Sequence, residues 1–404
     1  MKKHWEVAIA CFLVLAMLAT LCWGCAEEEE ELRTITIGEI SDFTGVSAPA
    51  CIPLHRAMED LVKYYNDEGL IPGAKLRLVG YDTRTDPARY IPGYDWLKEQ
   101  GADLILAVVT GSAETIRPFA ENDRIPVATV AHSKAAVEPP GWVFVLTAPI
   151  PPQAKTLLKW LSENDWDYDA QGTPKLGFYG WQEPISIGVD AAIKEYCQAY
   201  PGEFDYVGGF MGPLGSMTCV AEVEQLKDCD YVFGSMFMGA VFIKEYRARG
   251  YDAAQFIADA GSFGFYEFMV EKAGWENLDG YITTMLAPWF DEENAAVAFI
   301  KEVIDRYHPG ASPKDMGGSY HGAFFMLLSI FEIVRQAVEE VGAENFDGQA
   351  FYDAAVKFSL QYEGLPEYYF TDTERCLLHE CAIYEWSAAA EELVRLTDWL
   401  PLIE

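Results

Sequence analysis

The sequence predicts an α/β fold of two lobes, each a parallel sheet covered by helices on both faces. Three observations predict it. From residue 34 on, short apolar runs alternate with amphipathic stretches; the alternation occurs in two series; and Pro149, Pro151 and Pro152 stand between them. A strand buried on both faces reads as a continuous apolar run, and parallel neighbours need a crossover, usually a helix, to join them. A chain of 404 residues is long enough for two such lobes.

In the first series the pattern predicts strands over 34–40, 75–81, 104–109 and 127–130. Helices are predicted over 53–66, 91–100 and 113–122, the first with Leu54, Met58, Leu61, Val62 and Tyr65 on one face. Residues 142–146 end this half, and the prolines are expected to interrupt any regular element. The second series gives helices over 153–164, 187–200 and 240–249 and strands over 175–179, 231–234 and 255–258. The tail differs: 294–307 and 320–341 read as long helices and 381–386 as a late strand, each free to join either lobe.

Charge narrows the partners. Against 63 acidic residues there are 29 Lys and Arg, a net charge of −34. Nucleic acid is excluded because phosphate binding needs a basic face, and anionic headgroups are disfavoured for the same reason. The acidity reads as a solvated surface.

Lys2 and Lys3 precede an apolar stretch over 7–21 that is short for a membrane span. It ends in Leu21-Cys22-Trp23-Gly24-Cys25, then Ala26 and the glutamates 27–31. This resembles a lipoprotein signal over 1–25 with Cys25 acylated, followed by an acidic tether over 26–33. Cys22 and Trp23 depart from that pattern, and an uncleaved anchor is the alternative. In either case the folded part is expected outside the cytoplasm, attached to the membrane and monomeric.

Six further cysteines could form bridges in an oxidising compartment. Cys376 and Cys381 suggest a pair across a short hairpin. Cys219 and Cys229 read as opposite ends of one helix, about 15 Å apart and beyond reach. A metal site on Cys376, His379 and Cys381 lacks a second ligand pair. The sequence contains no Walker loop, no H-E-x-x-H and no G-x-G-x-x-G, so no metal and no cofactor is expected.

In open α/β sheets ligands bind beyond the carboxyl ends of the strands. Four such ends are informative. Thr110-Gly111-Ser112 opens a helix with two hydroxyls and free amides, although either hydroxyl would serve equally as a helix cap. Ala131-His132-Ser133 follows the next strand, where a histidine is more often a packing residue. In the second series, Tyr179-Gly180-Trp181 and Asp259-Ala260-Gly261-Ser262-Phe263 hold equivalent places. The segment 260–264 also resembles a degenerate nucleophile elbow, with Ala260 in place of its first glycine. No downstream histidine has a suitable setting, so no catalytic residue is expected.

Taken together, several stretches resemble the leucine/isoleucine/valine-binding family of type I periplasmic binding proteins. They are Gly38-Glu-Ile-Ser-Asp-Phe-Thr-Gly45, Asn66-Asp-Glu-Gly-Leu-Ile-Pro-Gly73, Thr110-Gly111-Ser112, Ile125-Pro126-Val127, Phe144-Val-Leu-Thr-Ala-Pro149, Tyr320-His321-Gly322-Ala323 and Tyr384-Glu385-Trp386. The resemblance spans nearly the whole chain after the signal. It implies two Rossmann-like lobes joined by a three-segment hinge, with lobe 1 as 34–148 plus 286–370 and lobe 2 as 149–285 plus 371–404. Crossings would fall at 148–152, near 283–288 and near 370–374. It further implies capture of a small molecule between the lobes and delivery to the permease of an ABC importer; a sensory receptor domain is the alternative. Carried over by position, a carboxylate seat would comprise Gly111, Ser112 and Ser133, with backbone contacts from Ala131 or His132. The acidic residue that grips an ammonium in this family aligns with Ala260, one place after Asp259, which weighs against an ordinary branched-chain amino acid. Trp181, Phe237, Phe263 and Trp289 would suit a flatter, apolar ligand.

Overall fold

A computed structural model describes residues 32–130, 133–235 and 238–404. The lipidation residue Cys25, the signal and most of the tether lie outside these residues, as do Ala131, His132 and Phe237.

The first sheet is entirely parallel, with strand order β2-β1-β3-β4-β5. Its strands are β1 (Arg33–Ser41), β2 (Ala74–Asp82), β3 (Leu104–Ala107), β4 (Val127–Thr129) and β5 (Val143–Val145). Helices α1 (Ala48–Asp67), α2 (Tyr90–Glu99) and α3 (Ser112–Asp123) connect them. β1, β3, β4 and β5 are buried almost throughout, as double coverage requires.

The second sheet runs β14-β13-β10-β9-β8-β6-β7. Five of its strands are mutually parallel: β6 (Lys175–Trp181), β7 (Asp205–Gly212), β8 (Tyr231–Gly234), β9 (Gln255–Ala258) and β10 (Ile282–Met285). Helices α4 (Ile150–Asn164), α5 (Pro184–Ala199), α6 (Val220–Leu226), α7 (Met238–Ala248) and α8 (Tyr266–Ala273) accompany them. Between β10 and the last strands come α9 (Ala295–Tyr307), α10 (Gly318–Val341), α11 (Gly348–Ala355) and a small antiparallel pair, β11 (Ser359–Leu360) with β12 (Tyr368–Tyr369). Then β13 (Glu380–Ser387) pairs antiparallel with β10, β14 (Glu392–Arg395) and β15 (Leu400–Pro401).

Helices α9, α10 and α11 pack in one apolar core with the first sheet, through residues such as Ile300, Phe324, Phe331 and Phe351. The second sheet has a separate core on each face. By length and composition α10 is able to cross a membrane, but most of its apolar stretch is buried inside the protein. The chain therefore passes between the two sheets three times: after β5, after β10, and between residue 377 and β13.

Three expectations need correction. The prolines do not break the chain after Pro149. Helix α4 begins at Ile150 with Pro151 and Pro152 in its first turn, where the missing amides would have had no helical partner anyway. Strand β7 escaped prediction because Asp205–Gly212 contains three glycines and, as an edge strand, is only partly buried, so it has no apolar run. Cys376 and Cys381 are both buried and free. The residues between them form no hairpin: the amide of Val145 donates to Arg375 O and the amide of Leu377 to Val145 O, holding this segment on the edge of the first sheet before the chain crosses to β13.

Candidate functional site

The carboxyl ends of the parallel strands of the two sheets face one another across a cavity of about 170 Å³. A buried water needs roughly 10–15 Å³ of such space, so there is room for on the order of ten water-sized groups. That suits a small metabolite.

The first wall comes from the loop after β1, the start of α1 and the loop after β3, represented by Ser47, Cys51 and Thr110. Asp42, fully buried, shapes the first of these loops. Its carboxylate accepts from the amides of Thr44, Gly45 and Ser47 at 3.1, 2.5 and 2.8 Å and from the hydroxyl of Thr85. Gly45 is required there, because a Cβ would lie 2.6 Å from Asp42 Oδ2. Burial, reinforced by Glu39 and Asp42 behind it, pushes the Cys51 thiol up to about 12, so it stays neutral and acts as an apolar wall.

The opposite wall is the 3-10 turn Ala260–Phe265, which contributes Ala260, Gly261, Phe263 and Phe265. The start of α10 closes one side with Gly318, Ser319, Gly322 and Ala323. Gln153 of α4 ties the walls to the crossings. Its amide nitrogen donates to Ala148 O at 3.0 Å, and its oxygen accepts from Thr284 Oγ1 at 2.9 Å and from the amide of Ala260 at 3.3 Å. Among the described residues the lining is mostly apolar and contains no Lys, Arg, His, Asp or Glu.

The structure distributes the residues singled out from sequence unevenly. Thr110 and Ala260 line the cavity. Gly111 adopts φ 80° and caps α3, while Ser112 is fully buried and donates to Val109 O at 2.5 Å, a local closure that leaves it off the cavity wall. The amide of Ser133 is taken by Glu114 Oε1 at 2.6 Å. Trp181 packs in the core of the second sheet and donates to Ser216 O at 2.9 Å. Trp289 is likewise a core residue, bonded to Glu392.

Asp259 is fully buried just behind the wall. Its Oδ1 accepts from the amide of Gly261 at 2.7 Å and its Oδ2 has no partner, so burial pushes its pKa up to about 6. Ser262 is buried and accepts from the Tyr281 hydroxyl at 3.3 Å. His321 Nε2 is spent on Pro288 O at 2.5 Å, and burial lowers that histidine to about 4. Among the described residues no cluster of three His, Cys, Asp or Glu is able to hold a metal.

Sequence reasoning missed Ser47, Cys51, Gln153 and the α10 contribution. One signal was available for the last: Gly318, Ser319, Gly322 and Ala323 form a small-residue face at the head of a helix otherwise rich in large apolar residues.

A family model described as periplasmic binding protein matches residues 34–391. No curated protein sequence matches the chain. Several solved structures share its architecture. One, described as a branched chain amino acid ABC transporter from Thermus thermophilus with bound valine, has 17% identity and a TM-score of 0.78, covering 92% of this chain and 97% of its own. A fatty acid ABC transporter substrate-binding protein from Thermomonospora curvata has 14% identity and a TM-score of 0.79, covering 91% and 92%. A solute binding protein of an ABC transporter from Rhodopseudomonas palustris BisB5, in complex with 3,4-dihydroxy benzoic acid, has 16% identity and a TM-score of 0.75, covering 92% and 98%. At these identities the likeness establishes the fold.

Proposed function

The chain belongs to the periplasmic binding protein family, and from that premise we propose that it captures a small, largely apolar solute outside the cytoplasm and presents it to the permease of an ABC importer. The observation that carries this reading is the mostly apolar cavity between the carboxyl ends of the two sheets. In this reading the lobes comprise 34–148 plus 286–377 and 149–285 plus 380–404, the third crossing falling a few residues after the expected 370–374 because 375–377 pair with β5, and they close on the ligand. Contacts to the second wall form only in the closed state, so ligand binding shifts the population toward it. The permease then reads the closed shape, and no catalytic step is involved.

The described structures of similar fold hold or are named for valine, a fatty acid and 3,4-dihydroxy benzoic acid, each combining an apolar body with a polar end. Thr110 and the backbone at Ala260 are the residues from the sequence reading that we place against the ligand. Acylation at Cys25 would hold the monomer at the membrane on its acidic tether.

A thermal-shift screen across amino acids, amides, aromatic acids and betaines tests the proposal. At a hundredfold excess over Kd, a ligand that binds only the folded state adds about 2.7 kcal/mol of stability. A rise in Tm for one chemical class is expected. No shift with any class, together with recovery of the protein from the cytoplasm, would contradict it.

A further inference from the structure

The described solutes of similarly folded proteins carry carboxylates, but the electrostatics of this cavity oppose one. Three wall residues have their backbone amides occupied by carboxylates of the protein itself. Asp42 takes the amide of Ser47 at 2.8 Å, Asp259 that of Gly261 at 2.7 Å, and Glu267 that of Gly318 at 2.9 Å. These three amides, on the loop after β1, the 3-10 turn and the head of α10, are thereby withdrawn from an anion. At the fourth approach, Glu114 stands in the first turn of α3, with Oε1 on the amide of Ser133 and Oε2 buried without a partner.

Among the described residues nothing basic balances this charge. Within the described residues none of Asp42, Glu114, Asp259 and Glu267 has an ion-pair partner, and no basic side chain lines the cavity. Asp42 and Asp259 are fully buried, where screening by water and salt is weakest. Phe263 and Phe265 add aromatic surface of the kind that accepts a cation.

We propose that the cavity takes a ligand with an apolar body and a cationic head, such as a protonated or quaternary amine, and rejects the matching carboxylate. An entering anion would meet acids on both walls and, among the described residues, no charged donor, so hydroxyls such as that of Thr110 would offset only part of its lost hydration. A cation of the same shape would meet negative potential from both walls, with the unpartnered Asp259 oxygen adjoining Ala260 and Gly261. This rests on the solute-capture reading and assigns the charge of its ligand.

The experiment is a titration of the intact protein with three probes of one skeleton: 2-phenylethylamine, 3-phenylpropanamide and 3-phenylpropanoate. The amine is expected to bind about tenfold or more tighter than the acid, since like charges a few ångströms apart in a partly buried site oppose binding at least this strongly. Asp259→Asn and Glu267→Gln are each expected to narrow that ratio. Equal or tighter binding of the acid, or an amine-to-acid ratio unmoved by both substitutions, overturns the assignment while leaving solute capture standing. If none of the three binds, the ligand found by the class screen decides: a cationic one supports the assignment and an anionic one overturns it. No ligand in either experiment removes the capture reading, and this assignment with it.

Discussion

Asp259 shows how one side chain was visible in the sequence while its setting was not. Its place after β9 marked it as a site residue, but only the fold shows that it is fully buried, with one oxygen on Gly261 and the other unpartnered. Burial pushes its pKa up from the ordinary aspartate range to about 6. The folded state therefore binds this proton more tightly than the unfolded chain does. Stability from this group is fully present below pH ~4, falls as pH rises through ~6, and is then lower by about 3 kcal/mol. Asp259→Asn should remove that slope, read as the difference in Tm between wild type and variant from pH 4 to 7. The difference is the useful quantity because His321, lowered to about 4, imposes the opposite slope on both proteins. The new amide also leaves a buried donor unpaired, so the slope is a better test than absolute stability. Ser112 is the contrasting case. A hydroxyl at a helix start looks the same in sequence whether it faces a ligand or its own backbone, and here it closes on Val109.

At the scale of elements, the strands and helices with strong periodicity were readable and the joints were not. Tyr231–Gly234 and Gln255–Ala258 coincide with their apolar runs, because buried central strands have no other pattern to show. Edge strand β7 and the start of α4 depend on what packs around them. The head of α10 depends most on tertiary context. A Cβ at Gly318 would lie 2.2 Å from Phe263 O and 2.8 Å from Tyr266 Cβ. Gly318→Ala would therefore force α10 away from the 3-10 turn, and a loss of about 1–3 kcal/mol is expected in denaturant unfolding. Gly188, inside α5, has only an ordinary 3.7 Å contact to Pro151 Cγ for its Cβ. There the same substitution should stabilise by about 0.5–1 kcal/mol, because alanine favours a helix interior. A loss at Gly188 and none at Gly318 would mean that α10 and the turn are not packed as described.

Over the whole molecule, alternating patterns and a joint between two series were enough to read two α/β lobes, since each series builds one sheet. The cavity was only half legible. Strand-end rules pointed to Thr110 and Ala260 within continuous segments, whereas Ser47, Gln153 and Ala323 reach the same space from parts of the chain far apart in sequence. The central claim is that this space between the sheets receives the solute. Ala323, 7% exposed on the cavity wall, offers a direct test, because Ala323→Phe would extend a larger side chain from α10 into the space. The decisive measurement is the calorimetric affinity of a ligand found by the thermal-shift screen, taken on wild type and on this variant alongside their unliganded Tm values. The account predicts that binding disappears while the unliganded Tm shifts by only a few degrees; undiminished affinity in a variant folded to the same Tm would contradict it.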